Sequence, residues 1–155
     1  MTETKNQSDN RFNQAVCFPS IAFPGTCNEA ITFYKEAFGA EVKVINYFGD
    51  VSQDTDTSMD KSTPSNFVLY SEVVLFGVTF CMTDIEEGKG ITDTKNYNFW
   101  FSIFCHSQEE VTAIYNKLID GGGEIVLPLR PEYWATLNAN VNDRFGAHWS
   151  IFTTN

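Results

Sequence analysis

The apolar positions between Thr26 and Val42 follow the spacing of one helix face. Thr26, with Glu29 three residues later, forms the pattern of a capping box, and Gly39 suits a left-handed helix end. The apolar side chains stand at i, i+3, i+4, i+7 and i+8, namely Ala30, Phe33, Tyr34, Ala37 and Phe38. The segment therefore predicts an amphipathic helix with defined ends.

The same pattern returns 81 positions later, where Ser107 takes the place of Thr26. Glu110 completes a second capping box, and the run Gly121 to Gly123 ends the segment. Its apolar face consists of Val111, Ile114, Tyr115, Leu118 and Ile119. One capping box arises easily by chance, but two at matching offsets, each followed by glycine and an apolar strand, indicate an internal duplication.

Apolar runs flank both helices and predict four strands in each half. The predicted strands are Val16 to Phe23, Glu41 to Phe48, Phe67 to Phe76 and Val78 to Thr83, then Tyr97 to Cys105, Glu124 to Leu129, Trp134 to Asn142 and His148 to Thr153. An irregular stretch with Pro128 and Pro131 leads to the seventh strand. Each half reads β-α-β-β-β, so the predicted fold is α+β. Two such modules would form a curved, mostly antiparallel sheet around a concave pocket, with the helices outside.

The pattern also gives the domain boundaries. Residues 1–14 are polar without periodicity and are interpreted as a tail, and 15–155 form a single domain. Within it, module one spans 15–84, a linker spans 85–96, and module two spans 97–155. The polar stretch Gly49 to Ser65 is interpreted as a mobile loop or a lid, and the sequence leaves open whether it closes over the pocket.

Composition narrows the functional class. The chain has 155 residues, 43% of them hydrophobic, and 14 are phenylalanine, a surplus that can line an apolar cavity. The net charge of −10, with 10 scattered Lys and Arg residues, argues against binding to nucleic acid or to an anionic membrane.

Four cysteines occur, at positions 17, 27, 81 and 105, without a CxxC pair or a zinc-ribbon spacing. Cys81 and Cys105 lie in apolar strand patterns and are interpreted as buried free thiols. The chain has no apolar run near the length of a membrane span and no signal-peptide pattern. We therefore expect a cytoplasmic location.

Three sequence motifs, in order, resemble a known family. The opening FPSIAFPGTCNEAITFYKEAFGAEV resembles P-x-I-x-F followed by EEA-x-x-FY-x-x-x-FG-x-E, and LYSEVVLFGVTFCMTD resembles a M-H-A-E-L-x-I-G-D segment. The closing VNDRFGAHWSIF resembles a D-x-F-G-x-x-W-x-I ending. These motifs, together with the duplicated order, are typical of the PhnB-like branch of the vicinal oxygen chelate superfamily, which includes glyoxalase I, bleomycin-resistance proteins and extradiol dioxygenases.

The resemblance implies a metal centre in the catalytic members, held by His, Gln or Glu from four strands. The corresponding strands here offer Cys81 and His148, with Ser150 where the family's terminal Glu would fall. We therefore expect no metal and no cofactor. Relatives are often labelled demethylubiquinone methyltransferase-like, but no glycine-rich loop follows the first strand, so a methyl-donor site has no sequence support.

The chain departs from the branch pattern at two further places. Tyr70 replaces the His of the HAEL pattern while Glu72 keeps its place, and Arg130 opens the segment that is Q-E-T-F-W-G in relatives. Arg130 could pair with an anionic ligand group. Glu72 is a candidate general base if it faces the cavity, and one of 20 surface acids if it faces solvent. The predicted ligand-binding residues are Tyr70, Glu72, Phe101, Arg130, Tyr133, Trp134 and His148.

Two functional hypotheses follow. The first is a homodimeric protein that binds a small apolar or aromatic molecule in an aromatic-lined cavity without the usual metal centre. The second is a lyase, isomerase or dioxygenase that uses a displaced metal or Glu72 as an acid-base group. Convergence of Glu72, Cys81 and His148 in one cavity would favour the second. A weaker alternative is a structural or dimerisation module.

Overall fold

The computed structural model describes residues 15–51, 62–85 and 99–155. The predicted tail, most of the predicted linker and the central part of the predicted lid lie outside these described residues. Within them the chain forms eight strands, two α-helices and a short 3-10 helix at Phe48–Asp50. In chain order the strands and α-helices are β1 Ser20–Phe23, α1 Cys27–Phe38, β2 Glu41–Tyr47, β3 Val68–Leu75, β4 Val78–Asp84, β5 Phe101–Phe104, α2 Gln108–Asp120, β6 Glu124–Glu132, β7 Ala135–Asn142 and β8 His148–Thr153.

The strands divide into two sheets of four with the same connectivity. Sheet one has the order β1-β4-β3-β2 and sheet two the order β5-β8-β7-β6. In each sheet the first strand pairs in parallel with the last strand of its module, and the other pairs are antiparallel. The predicted α+β fold of two βαβββ modules is confirmed. Neither helix of the described chain has the length and apolarity needed to cross a membrane.

Prolines shift two strand boundaries. Strand β1 begins at Ser20, directly after Pro19, which has no N–H to donate to a neighbouring strand. Strand β6 was predicted to end at Leu129, but it continues through Pro128 and Pro131 to Glu132. It tolerates both prolines because it lies at the edge of sheet two and pairs with β7 through several register shifts.

The two helix starts are capped differently. Ser107 confirms its prediction, since its Oγ accepts a hydrogen bond from Glu110 N at 3.2 Å. The Thr26 side chain makes no capping hydrogen bond within the described chain. Instead, the buried carboxylate of Asp84 accepts from Cys27 N at 2.9 Å and from Val68 N at 2.8 Å. Helix α1 therefore begins on an acceptor supplied by strand β4.

A buried carboxylate joins the two modules. Asp143 Oδ2 accepts from Tyr34 Oη at 2.5 Å and from Trp149 Nε1 at 2.9 Å. Its Oδ1 accepts from the backbone N–H groups of Phe145 and Ala147, at 3.0 and 2.9 Å. Asp143, the first residue of the D-x-F-G-x-x-W pattern, thus links helix α1 of module one to the β7–β8 turn of module two.

Candidate functional site

Residues of β7 and β8 alternate between the two faces of sheet two. Trp149, Ile151 and Thr153 are buried toward the core. The even-numbered residues of β8 point to the opposite face and pair in register with asparagines of β7. The three pairs are His148 with Asn142, Ser150 with Asn140, and Phe152 with Asn138.

This second face forms a pocket of about 520 Å³. Aromatic rings form its walls: Trp134 lies 5.2 Å from Phe152 between ring centroids, and Trp100 contributes a half-exposed indole. Its floor is uncharged and polar. The lining residues are Trp100, Ser102, Val126, Leu127, Glu132, Trp134, Asn138, Asn140, Val141, Asn142, His148, Trp149, Ser150 and Phe152. We call this site the sheet-two pocket.

His148, on the closing strand β8, lines the sheet-two pocket. Its Nδ1 lies 2.5 Å from Asn142 Oδ1. A carboxamide oxygen only accepts hydrogen bonds, so Nδ1 is the donor in this pair. The contact fixes the plane of the imidazole on the floor of the pocket.

Lysine and arginine are absent from the described lining of the pocket. Arg130 pairs with Glu132 of the same strand, with Nη2 at 2.6 Å and Nε at 2.8 Å from Oε1. Since the guanidinium is already paired with a carboxylate, its predicted role as the partner of an anionic ligand has no support in this arrangement.

Two other predicted ligand-binding residues lie away from the pocket. The Phe101 ring packs on the core side, 4.9 Å from Phe80 and 5.2 Å from Trp149 between centroids. Its register partner on β8 is Trp149, which explains this orientation. The side chain of Tyr133 is 99% exposed, outside the sheet-two pocket, whereas the adjacent Trp134 lines it.

Tyr70 and Glu72 lie on sheet one. Glu72 is 5% exposed, which contradicts the interpretation as a surface acid, and it accepts a hydrogen bond from Tyr70 Oη at 2.8 Å. It stands opposite Cys81 in the β3–β4 register. The sheet-two pocket contains His148 but neither Glu72 nor Cys81. The three candidates for acid-base or metal chemistry therefore do not share that pocket.

The register of β1 with β4 and of β5 with β8 shows which side chains stand on the strands that hold the metal in catalytic relatives. Ser20 on β1 stands opposite Cys81 on β4, and Ser102 on β5 stands opposite Ser150 on β8. No group of three or more His, Cys, Asp or Glu residues that could hold a metal ion occurs in the described ranges. Three neutral hydroxyls and one thiol on two sheets do not fit the donor set of a divalent metal centre.

Two of the other thiols, those of Cys27 and Cys105, are buried. Burial raises the pKa of the Cys105 thiol to about 11, and the carboxylate of Glu110 adds to this shift. Burial also raises the pKa of Cys27 far above its ordinary value, with Asp84 adding to the effect. Cys105 is buried as predicted, whereas Cys81 is only half-buried. Cys27 and Cys105 are therefore held as neutral thiols.

Most residues of the pocket floor were not among the predicted ligand-binding residues. The clearest sequence signal for this floor is the run Asn138, Asn140 and Asn142, which places amides at alternate positions of a strand. Polar residues with this period, between buried Ala139 and Val141, indicate one polar and one apolar sheet face. This signal identifies a polar face, but not that aromatic walls surround it.

Comparisons with known proteins agree with this fold. Residues 15–152 match the family model described as 3-demethylubiquinone-9 3-methyltransferase. Protein YjdN of Escherichia coli K12 is 24% identical over 139 residues, which cover 86% of this chain and 91% of that protein. The PhnB protein of Bacillus cereus superposes with a TM-score of 0.69 at 20% identity, covering 90% of this chain and 99% of that one.

A more distant structure shares the architecture. A glyoxylase/bleomycin resistance protein/dioxygenase domain from Frankia superposes with a TM-score of 0.62 at 12% identity, covering 92% of this chain and 98% of that one. At these identities the structural matches show the fold alone, whereas the family model spans nearly the whole chain. The chain belongs to the family described as 3-demethylubiquinone-9 3-methyltransferase, and it shares the fold of the glyoxylase/bleomycin resistance protein/dioxygenase domain.

Proposed function

We propose that this protein binds a small apolar or aromatic molecule in the sheet-two pocket, without the usual metal centre of the superfamily. The observation that carries the proposal is a half-open hollow of about 520 Å³ that is bordered by Trp100, Trp134 and Phe152. Ligand sites in proteins have this size and combine apolar walls with a few polar groups. Large aromatic walls gain free energy by covering the faces of a flat ligand.

The floor of the pocket favours binding over acid-base catalysis. His148 is tied to Asn142, and the other floor groups are serine hydroxyls and carboxamides. The one carboxylate in the lining, that of Glu132, is paired with Arg130. Nothing in this arrangement forms a pair of groups, one positioned to give and one to take a proton.

Fluorescence of the neutral probe N-phenyl-1-naphthylamine tests the proposal. We expect saturable binding by the wild-type protein and roughly tenfold weaker binding by Trp134→Ala, because central aromatic anchors dominate binding free energy. Tyr133→Ala is the matched control, since this adjacent aromatic residue lies outside the pocket. Absence of saturable binding, or equal effects of the two substitutions, would refute the proposed site.

Metal analysis separates this function from the enzymatic alternative. We expect protein purified without chelator to contain far less than one metal ion per chain, and nickel, zinc, manganese and iron(II) to leave its melting temperature unchanged. Near-stoichiometric metal, or stabilisation by several degrees with one of these ions, would instead support a lyase, isomerase or dioxygenase with a displaced metal site.

We also propose a homodimer in the cytoplasm. Trp100, which lines the pocket, is 54% exposed, and Phe104, whose ring lies 4.4 Å from that of the lining residue Phe152, is 77% exposed. A second copy could cover both side chains. The free thiols of the described chain suit a reducing compartment. Equilibrium sedimentation that finds only a 17.5 kDa species at tens of micromolar would exclude the dimer, and cell fractionation tests the location.

A further inference from the structure

We infer that the sheet-two pocket selects an uncharged, flat aromatic molecule that carries N–H or O–H donors, and that it rejects anions. The inference rests on the proposed function and specifies the chemistry of its ligand. Three features support it: the spacing of the floor amides, two carboxamide oxygens that lack donors, and the charge of the lining.

The floor presents a regular row of amides. Asn138, Asn140 and Asn142 occupy alternate positions of β7, so successive side chains stand about 7 Å apart along the strand. Ser150 stands beside Asn140 on β8 and extends the polar surface across the sheet. A flat molecule lying on this floor meets hydrogen-bonding groups under more than one of its edges.

Part of this hydrogen-bonding capacity is unused. Asn138 is 2% exposed, yet its Oδ1 and that of Asn140 have no hydrogen-bond partner in the described chain. A buried acceptor without a donor is unfavourable, and neither oxygen is open to solvent. The final torsion of an asparagine side chain is soft, so a small rotation turns the oxygen toward a donor in the pocket. A ligand N–H or O–H would satisfy this acceptor, whereas an ether oxygen would not.

The charge of the lining excludes anions. The described lining has no Lys or Arg, its one acid is Glu132, and the whole chain carries a net charge of −10. A carboxylate that entered between Trp100 and Trp134 would lose its hydration without meeting a lysine or arginine, and the imidazole of His148 already hydrogen-bonds Asn142. The neutral amide of the same shape would lose much less.

Four probes of similar shape test the two parts of the inference: benzofuran, indole, indole-3-carboxamide and indole-3-carboxylate. Their dissociation constants can be measured by ligand-observed NMR titration at constant ionic strength. We expect indole to bind about tenfold more tightly than benzofuran, since it adds one donor to the same ring shape. We expect the carboxamide to bind at least about tenfold more tightly than the carboxylate.

Substitutions test whether the preference for indole over benzofuran arises at Asn138 and Asn140. In Asn138→Leu/Asn140→Leu the preference for indole over benzofuran should disappear while benzofuran still binds, because the carboxamide acceptors are lost and side chains of similar size remain. Asn116→Leu, the same change at an exposed position of helix α2, should keep the preference. The wild-type series remains a complete test if the double variant does not fold.

The outcomes separate the inference from the proposed function. If none of the four probes binds, both fail. If benzofuran and indole bind equally, or the carboxylate binds as well as the carboxamide, the site stands and the inference is overturned. A preference for indole that persists in the folded double variant also overturns it, because the donor would then act elsewhere.

Discussion

Asp143 offers the sharpest test of how the two modules are held together. Replacing it with alanine removes the acceptor of four hydrogen bonds, two of them from the buried side chains of Tyr34 and Trp149. Each hydrogen bond to a charged group contributes about 1.5–3 kcal/mol, but the buried carboxylate has its own desolvation cost. Its removal leaves the buried donors of Tyr34 and Trp149 unsatisfied, at a cost of about 1–3 kcal/mol each.

We therefore expect Asp143→Ala to lower the free energy of unfolding by about 4 kcal/mol, a large share of the 5–15 kcal/mol typical of a domain. With a urea dependence of about 2 kcal/mol per molar, the unfolding midpoint should fall by about 2 M. Urea titration followed by tryptophan fluorescence measures this change. Asp120→Ala, at an exposed position of helix α2, should change stability by less than about 0.5 kcal/mol.

A double-mutant cycle measures how much the hydrogen bond between Tyr34 and Asp143 contributes to the free energy of unfolding. Tyr34→Phe keeps the ring that packs against Phe33 and Phe145 and removes only the hydroxyl. It should cost about 1.5–3 kcal/mol in the wild-type background and far less when Asp143 is already alanine. A loss below about 1 kcal/mol for Asp143→Ala, or equal costs of Tyr34→Phe in both backgrounds, would refute the proposed fastening.

Two further predictions concern stability. Asn138→Leu alone should raise the melting temperature by about 2–4 °C, because it removes a buried acceptor that has no donor. Calorimetry measures this change. A melting temperature below that of Asn116→Leu would contradict the prediction. The pKa of Cys105 is raised from 9.0 to about 11, so its contribution to stability is complete below pH 9 and is lost as pH rises toward 11. In urea titrations Cys105→Ala should flatten this alkaline loss, and the exposed Cys17→Ala should leave it unchanged.

Local sequence patterns predicted the elements well, because strand period, helix period and glycine exits act over a few residues. Gly39 has the left-handed φ of 68° that its position after helix α1 predicts. Ser107 likewise caps helix α2 from its own segment. Thr26 failed as a cap because Asp84, which is 57 residues from Cys27 in sequence, supplies the acceptor instead. No local pattern contains that contact.

The candidate site was harder to predict because alternation does not say which face of a strand meets the core. Phe101 looked suitable for a pocket wall, but its pairing with Trp149 turns it inward. The pattern left open whether Glu72 faces a cavity or solvent, and the residue is buried beside Tyr70. Arg130 was interpreted as a free cation, although Glu132 two residues later on the same strand neutralises it. Each error came from a tertiary or cross-face neighbour that the linear pattern does not specify.

The unequal capping of the two helices has a consequence for how the chain folds. Helix α2 carries its start signal within three residues, so its first turn can form as soon as its own segment is present. Helix α1 lacks this local signal, so its first turn gains its acceptor only once β4 brings Asp84 beside it. Closing that long loop costs conformational entropy before the hydrogen bond is gained. The two halves share one architecture, yet the start of helix α2 is stabilised within its own segment and the start of helix α1 only through its sheet.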